Sequence, residues 1–349
     1  MTARATPTVE LRLTPSPSDV ARVRAASLAW AAVGGQRRSR PDRVSPALHA
    51  VVVVVLAVGL DLLAGDPPNR WHPVAWIGRA LARGRERLCH GSPTTLLVAG
   101  AALTLGVTAL AALAGGAVGL VAATLGWAGV VLEAPALKST LALRGLAGAA
   151  RAVAAALANG DLAGARASLG VHLVSRSTAA LDEGHVASGA IESLAENLTD
   201  SLVAPLVFFL VFGLPGALAY RALNTADTML GYRDGALEYF GKVAARLDDL
   251  ANLVPAPLAA LALVAAAGRR APAAWTAMVR DHERTASPNA GWTMAAAAGA
   301  LGITLEKPNV YRLGEGPLPV RADIERAIRL LVRAAGVVAV ALIFVRLMV

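Results

Sequence analysis

Charge is scarce in this chain. Only 16% of its 349 residues are Asp, Glu, Lys or Arg, while 56% are hydrophobic, and a soluble domain carries about a quarter charged residues. That balance leaves a membrane protein or a very Ala-rich helical one, and the uncharged runs decide for the membrane. Residues 91–132 contain no charged side chain, although about 20 apolar residues suffice for a spanning helix. Aromatics make up 4% of the chain and Ala and Leu dominate it, so the sequence reads as helices throughout with no sheet. The single cysteine, Cys89, excludes an intrachain disulfide and gives no sign of an oxidising compartment. No Gly-rich phosphate loop, dinucleotide fingerprint or zinc-spaced Cys/His set is present.

What the chain does have is apolar runs punctuated by polar clusters. Residues 91–132 are long enough for a helical hairpin, with Gly115-Gly116 as its expected turn. Residues 201–220 and 250–268 are of spanning length, 45–60 is shorter and ends at Asp61, and 330–345 is interrupted by Arg333. Pro205 and Pro215 interrupt 201–220, which predicts a broken or re-entrant helix shielded by its neighbours. The net charge of +9 sits between apolar runs without aromatic interleaving. This disfavours nucleic acid and favours the basic loops of a multi-pass protein in a bacterial inner membrane. With 91–132 as a hairpin, the basic stretches 70–87 and 138–176 share one side. Residues 1–44 are expected to be a disordered basic extension, and 45–349 a single helical membrane domain.

The acidic residues carry the chemistry. In "AIESLAENLTDSLVAPL", Glu192, Glu196 and Asp200 come one helical turn apart, with Asn197 beside them, at the mouth of an apolar segment. Neighbouring like charges at that spacing repel. Carboxylates near a membrane mark function more often than a solvated face, and hard oxygens suit Mg²⁺ bridging to phosphates. A second cluster places Asn224, Asp227, Asp248 and Asp249 among Arg221, Arg233, Lys242 and Arg246. Acids for a metal interleaved with cations for phosphate are what phosphoryl chemistry requires, and structural ion pairs are the competing reading. A third, "RDHERTASPNAGW", offers Arg280, His282 and Asn289. A fourth, "DLLAGDPPNRWHPVAWIGR", holds Asp61, Asp66 and His72 around a loop, and Glu133 with Lys138 reads equally as an ion pair at the membrane surface or as functional residues.

These stretches, with "YRALNTADTMLGYRD", "FGKVAARLDDLANLVP" and "AGALGITLEKPNVYRLG", resemble in order the adenosylcobinamide-phosphate synthases of cobalamin biosynthesis (CobD/CbiB type). The resemblance implies an all-α, polytopic membrane enzyme whose polar motifs face the cytoplasm. It implies a ligase that joins adenosylcobyric acid to (R)-1-aminopropan-2-ol phosphate or a related amino alcohol, with ATP and Mg²⁺. The expected catalytic residues are Glu192, Glu196, Asp227 and Arg246. Arg176, Asn197, Asn224, Arg233, Lys242, Arg280, His282 and Asn289 are expected to hold substrate or phosphate. Glu192, Glu196, Asp200, Asp248 and Asp249 are the expected metal ligands. Arg176, Thr178 and Asp182 match the family pattern, whereas Ser177, Ser201 and Pro257 depart from it, where the family carries Asp, Gly and Arg. Two other classes compete. A Mg²⁺-dependent membrane prenyltransferase would need two Asp-rich motifs, each ending in Asp-x-x-x-Asp, which this chain lacks. An ion-coupled transporter would use Glu192 and Asp227 as cation sites and would show more clear spans.

Overall fold

In this computed structural model, residues 45–174 and 177–348 are described. Three of the first helices begin with the same device, a capping side chain followed by proline. They are α1 (Pro46–Ala64), α2 (Pro73–Leu88) and α3 (Pro93–Thr124). Ser45 and Ser92 accept backbone amides with their hydroxyls, and His72 does so through Nδ1. Proline at the first helical position has no amide to leave unsatisfied, and its fixed φ suits the helix. After a 3₁₀ turn at Gly126–Gly129 come α4 (Val130–Lys138), α5 (Leu143–Ala158), α6 (Leu162–His172) and α7 (Glu183–Leu198). A π turn at Thr199–Val203 leads into α8 (Ala204–Leu230). Then follow α9 (Leu237–Phe240), α10 (Lys242–Asn252), α11 (Pro255–Ala266), α12 (Ala271–Asp281), α13 (Ala290–Leu301) and α14 (Arg321–Met348).

Among the described residues, five helices or continuous helix runs are long and apolar enough to cross a membrane, and a sixth is counted if α10 and α11, bent by 47°, form one span. The chain is therefore polytopic and all-α in character. One expectation fails on a small scale. Leu305–Lys307 (β1) and Tyr311–Leu313 (β2) pair antiparallel, with Leu305 opposite Leu313. Pro308-Asn309 makes the turn, where the Val310 amide donates to the Lys307 carbonyl at 3.0 Å and Asn309 takes φ 62°. Proline then a positive-φ asparagine is the signature of a type II turn.

The expected hairpin in 91–132 also differs. α3 runs unbroken through Gly115-Gly116 for 32 residues, about 48 Å, and the chain reverses instead near Leu125–Gly129. The glycines serve packing: a Cβ on Gly115 would lie 2.7 Å from the Leu214 carbonyl oxygen, so its absence seats α8 against α3.

The main core surrounds α7, which is buried along almost its whole length. A smaller core joins Leu81, Leu96, Ala226, Leu230, Phe240 and Ala244 where α2, α3, α8, α9 and α10 meet.

The break expected in 201–220 is present. Gly213 adopts φ 67°, ψ −160°, a region open essentially only to glycine. It is the apex of a helical hairpin. Asp200 and Tyr220 are 20 residues apart, about 30 Å along a straight helix. Here Asp200 Oδ1 and the Tyr220 hydroxyl are 3.2 Å apart, and the Phe208 and Tyr220 rings stack at 5.1 Å.

Candidate functional site

The hairpin at Gly213 brings the end of α7, the second half of α8 and α10 to one end of the molecule. Polar side chains then lock them together. The Asn252 amide donates to Asp200 Oδ1 at 3.3 Å and to Asp248 Oδ2 at 3.1 Å. Asn224 donates to Asp248 Oδ1 at 3.3 Å, and the Tyr220 hydroxyl lies 3.0 Å from Asn252 Oδ1. Arg221 donates to the Asp200 carbonyl and to Asn224 Oδ1, while its Nε is buried without a partner among the described residues. Asp248, Asn224 and Asn252 are all buried. Buried polar groups need such partners, so this belt fixes the three helices in register.

Five carboxylates, those of Glu196, Asp200, Asp227, Asp248 and Asp249, line a cavity of about 150 Å³ beside the belt. Thr199, Asn252, Ser287 and Asn289 complete its polar wall. Glu196, Asp227 and Asp249 have no side-chain hydrogen bond or ion pair among the described residues. Asn289 donates to the Asp249 carbonyl at 2.7 Å, and its own Oδ1 is buried with no partner among the described residues.

A second cavity, about 180 Å³, lies on the other side of Glu196. Glu192, Ser193, Lys307 and Tyr311 line it with Leu173 and Val174. Glu192 is held firmly: Ser188 donates to Oε1 at 2.8 Å and Tyr311 to Oε2 at 2.9 Å. The same serine accepts the Glu306 amide at 2.8 Å, which docks the β-hairpin on α7. A third cavity, about 220 Å³, is lined by Arg233, Lys242 and Arg246 with Tyr232 and Glu238. Arg246 and Arg233 act electrostatically on Asp249, which ties this basic cavity to the acidic one.

The three-rung ladder read from the sequence thus does not converge on one point. Glu192 faces the second cavity, Asp200 the first, and Glu196 lies on the wall between them. The π turn at Thr199–Val203 is the cause, because it shifts Asp200 out of the i, i+4 stripe. Asn224, Asp227, Asp248, Asp249 and Asn289 do come together. Asn197 lines neither cavity and donates to the Ser193 carbonyl. Arg176 lies outside the described residues.

Arg280 and His282 are engaged elsewhere. Asp281, fully buried, accepts from Arg280 at 2.8 and 2.7 Å, from Arg284 at 3.2 Å and from the Gly314 amide at 2.7 Å. Burial alone would raise the Asp281 carboxyl, but these donors outweigh it and hold it below the usual carboxylate value. Arg280 also pairs with Glu315. The His282 ring packs on Trp292 at 3.8 Å between centroids. This cluster fastens the 3₁₀ turn His282–Arg284 to the β-hairpin.

Glu133 and Lys138 do not pair with each other. Glu133 meets His49 at 2.7 Å. Lys138 is buried between Asp61, 3.4 Å away, and Asp66, and His72 reaches Asp66 at 3.3 Å. Asp61 Oδ2 also caps α5 through the Leu143 and Arg144 amides. The side-chain roles of Lys307, Tyr311, Ser188 and Tyr220 escape sequence reasoning. Three of the four are hydroxyls with no charge to flag them, and all depend on the β-hairpin or the fold-back at Gly213.

The donor set fits a hard cation. No three His, Cys, Asp or Glu side chains among the described residues converge as a ready-made metal centre. Mg²⁺ does not require one, since it uses one or two carboxylates, water and substrate phosphate oxygens. Free carboxylates on Glu196, Asp227 and Asp249 and the orphaned Oδ1 of Asn289 offer such ligands, next to cations suited to phosphate.

Comparison with known proteins agrees with the motif order. No solved structure matches the chain. The "CobD/Cbib protein" family model matches residues 54–331. "Cobalamin biosynthesis protein CobD" of Geobacter metallireducens is 46% identical over 271 residues, 75% of this chain and 83% of the relative. The protein of the same name from Brucella suis biovar 1 is 42% identical over 281 residues, 77% of this chain and 86% of the relative. That of Dehalococcoides mccartyi is 38% identical over 299 residues, 83% of this chain and 94% of the relative. A family model spanning most of the folded chain, and relatives matched over most of their own length, show that the chain belongs to the CobD/Cbib family.

Proposed function

We propose that this protein acts in cobalamin biosynthesis, as the names of its relatives say of them, and that it forms an amide between a corrinoid carboxylic acid and an amino alcohol phosphate at the expense of ATP. The product is adenosylcobinamide phosphate. One observation carries the reading: two polar cavities, one acidic and flanked by Arg233, Lys242 and Arg246, the other containing Lys307, share the Glu196 carboxylate as their wall.

A carboxylate is a poor acyl donor, because an oxide would have to leave. ATP removes that difficulty. A carboxylate oxygen attacks the γ-phosphorus, the bond to the β,γ-bridging oxygen breaks, and ADP leaves. The amine then attacks the acyl carbon, and phosphate departs with the original carboxylate oxygen. Mg²⁺ bound at the acidic cavity would neutralise charge on the phosphates. Asp227, Asp248 and Asp249 are positioned to hold it, and Arg233, Lys242 and Arg246 to bind the phosphoryl oxygens. In the second cavity, Lys307 suits the phosphate of the amino alcohol and the Glu192–Glu196 pair its ammonium. Glu196, which has no competing hydrogen bond among the described residues, accepts the ammonium proton before attack, and Tyr311 and Ser188 hold Glu192 in place.

The apolar helices around both cavities limit water that would hydrolyse an acyl phosphate. A cytoplasmic opening in a bacterial inner membrane follows from the location of ATP. The test is incubation of purified protein with adenosylcobyric acid, ATP, Mg²⁺ and candidate amino alcohols, with products read by mass spectrometry. A corrinoid amide formed together with ADP supports the reading. No amide with any of them, or amide formed without nucleotide, overturns it.

A further inference from the structure

An apolar groove of about 390 Å³ lies between α2, α3, α4 and α8, away from the acidic cavity. Trp76 and Ile77 of α2, Val107, Leu110 and Val118 of α3, and Leu218 of α8 line it, and no charged side chain does. Its wall on α3 extends from Val107 to Val118, eleven residues on, about 16 Å at the helical rise. That is close to half of a hydrocarbon core about 30 Å thick, the depth of one leaflet.

The mouth of the groove is basic. Trp76 and Ala80 of its lining are followed on the same face of α2 by Arg83 and Arg87, at i, i+4, i+7 and i+11. Arg79, Arg83, Arg85 and Arg87 are all exposed, and none has a carboxylate partner among the described residues.

We propose that this groove binds an anionic phospholipid, with one acyl chain along α3 and the headgroup phosphate against Arg83 and Arg87. Arginine presents a donor fork that matches phosphate oxygens, and unpaired arginines at a membrane surface attract anionic lipid. A soluble anion would leave the leaflet-deep apolar wall unfilled, and a neutral lipid would leave the arginines unneutralised. A lipid with both parts satisfies the two together. The site is separate from the Glu196 cavities and does not depend on the reaction assigned to them.

The test uses delipidated full-length protein in detergent, offered phosphatidylglycerol or phosphatidylcholine and examined by native mass spectrometry. The wild type should retain one phosphatidylglycerol per chain, with a preference over phosphatidylcholine of more than about tenfold. Arg83→Gln with Arg87→Gln should reduce that preference roughly fivefold per arginine. Ala114→Trp, placed in the groove at an exposed position, should displace the bound lipid while leaving the arginines intact. Both variants should elute as monodisperse protein. Equal retention of the two lipids by the wild type, or undiminished phosphatidylglycerol binding in Ala114→Trp, overturns the proposal.

Discussion

Lys307 and Asp66 carry the sharpest consequences at the level of single side chains. If Lys307 receives the phosphate of the amino alcohol, Lys307→Gln should raise KM for the phosphorylated substrate at least about tenfold, since charge-assisted hydrogen bonds contribute about 1.5–3 kcal/mol. It should leave KM for the unphosphorylated alcohol within about threefold. Parallel kinetics with both substrates check this, and equal effects on the two would remove Lys307 from the phosphate site. Asp66 belongs to the Lys138 cluster and bears on stability. Burial would raise its carboxyl, but hydrogen bonds and charge from His72 and Lys138 bring it down from 3.8 to about 2. The unfolded chain therefore binds the proton more readily than the folded one, and the contribution is complete above about pH 4 and lost as pH falls toward 2. Asp66→Asn should melt at a lower temperature at pH 7. Its melting temperature should also fall less steeply than the wild type's between pH 4 and 2, as read by thermal melts in detergent. These roles were unequally legible. Aspartates between cations announce themselves in a sequence. The Glu133–His49 and Lys138–Asp66 pairings do not, because each joins residues more than 70 positions apart.

Among the elements, the fold-back at Gly213 decides whether a site exists. Without it, Asp200 would lie far from Tyr220 and Arg221 and the acidic cavity would lose a wall. Any side chain at φ 67°, ψ −160° is strained, at about 1–3 kcal/mol. Gly213→Ala should accordingly lower the melting temperature and reduce turnover by more than tenfold, whereas Pro215→Ala, two residues on, should be milder. A Gly213→Ala protein with wild-type melting and turnover would mean the apex is not where the helix reverses. The two prolines made a break in 201–220 readable from sequence. They did not reveal a hairpin, since a kink and a reversal leave the same local signature. Gly115-Gly116 misled in the opposite way. Consecutive glycines suit a turn and a close helix crossing equally well, and only the packing of Leu214 distinguishes them. The β-hairpin was missed because two three-residue strands are too short to show alternation, although Pro308-Asn309 is a recognisable turn.

For the molecule as a whole, the helical membrane class and the family were legible, because uncharged runs and ordered motifs survive without any knowledge of contacts. The division of the acidic residues between two cavities was not, because it arises from a π turn and from segments distant in sequence. All three cavities should open to the same side of the membrane. In a Cys89→Ala background, Asp234→Cys and Glu283→Cys, both exposed near the site end, should label from the cytoplasm. Ala128→Cys, exposed at the far end of α3, should label only from the opposite side. Labelling of Asp234→Cys and Glu283→Cys from different sides would separate clusters that the fold brings together. If the two cavities work as one reaction chamber across Glu196, turnover of Glu196→Gln is where it shows. The change removes the charge with little change of shape. Amide formation should fall by at least about a hundredfold, within the range for loss of a general base, while membrane extraction and the melting profile stay intact. Near-normal turnover of Glu196→Gln at limiting Mg²⁺ would mean that Glu196 takes no part in the chemistry and that the two cavities do not act together.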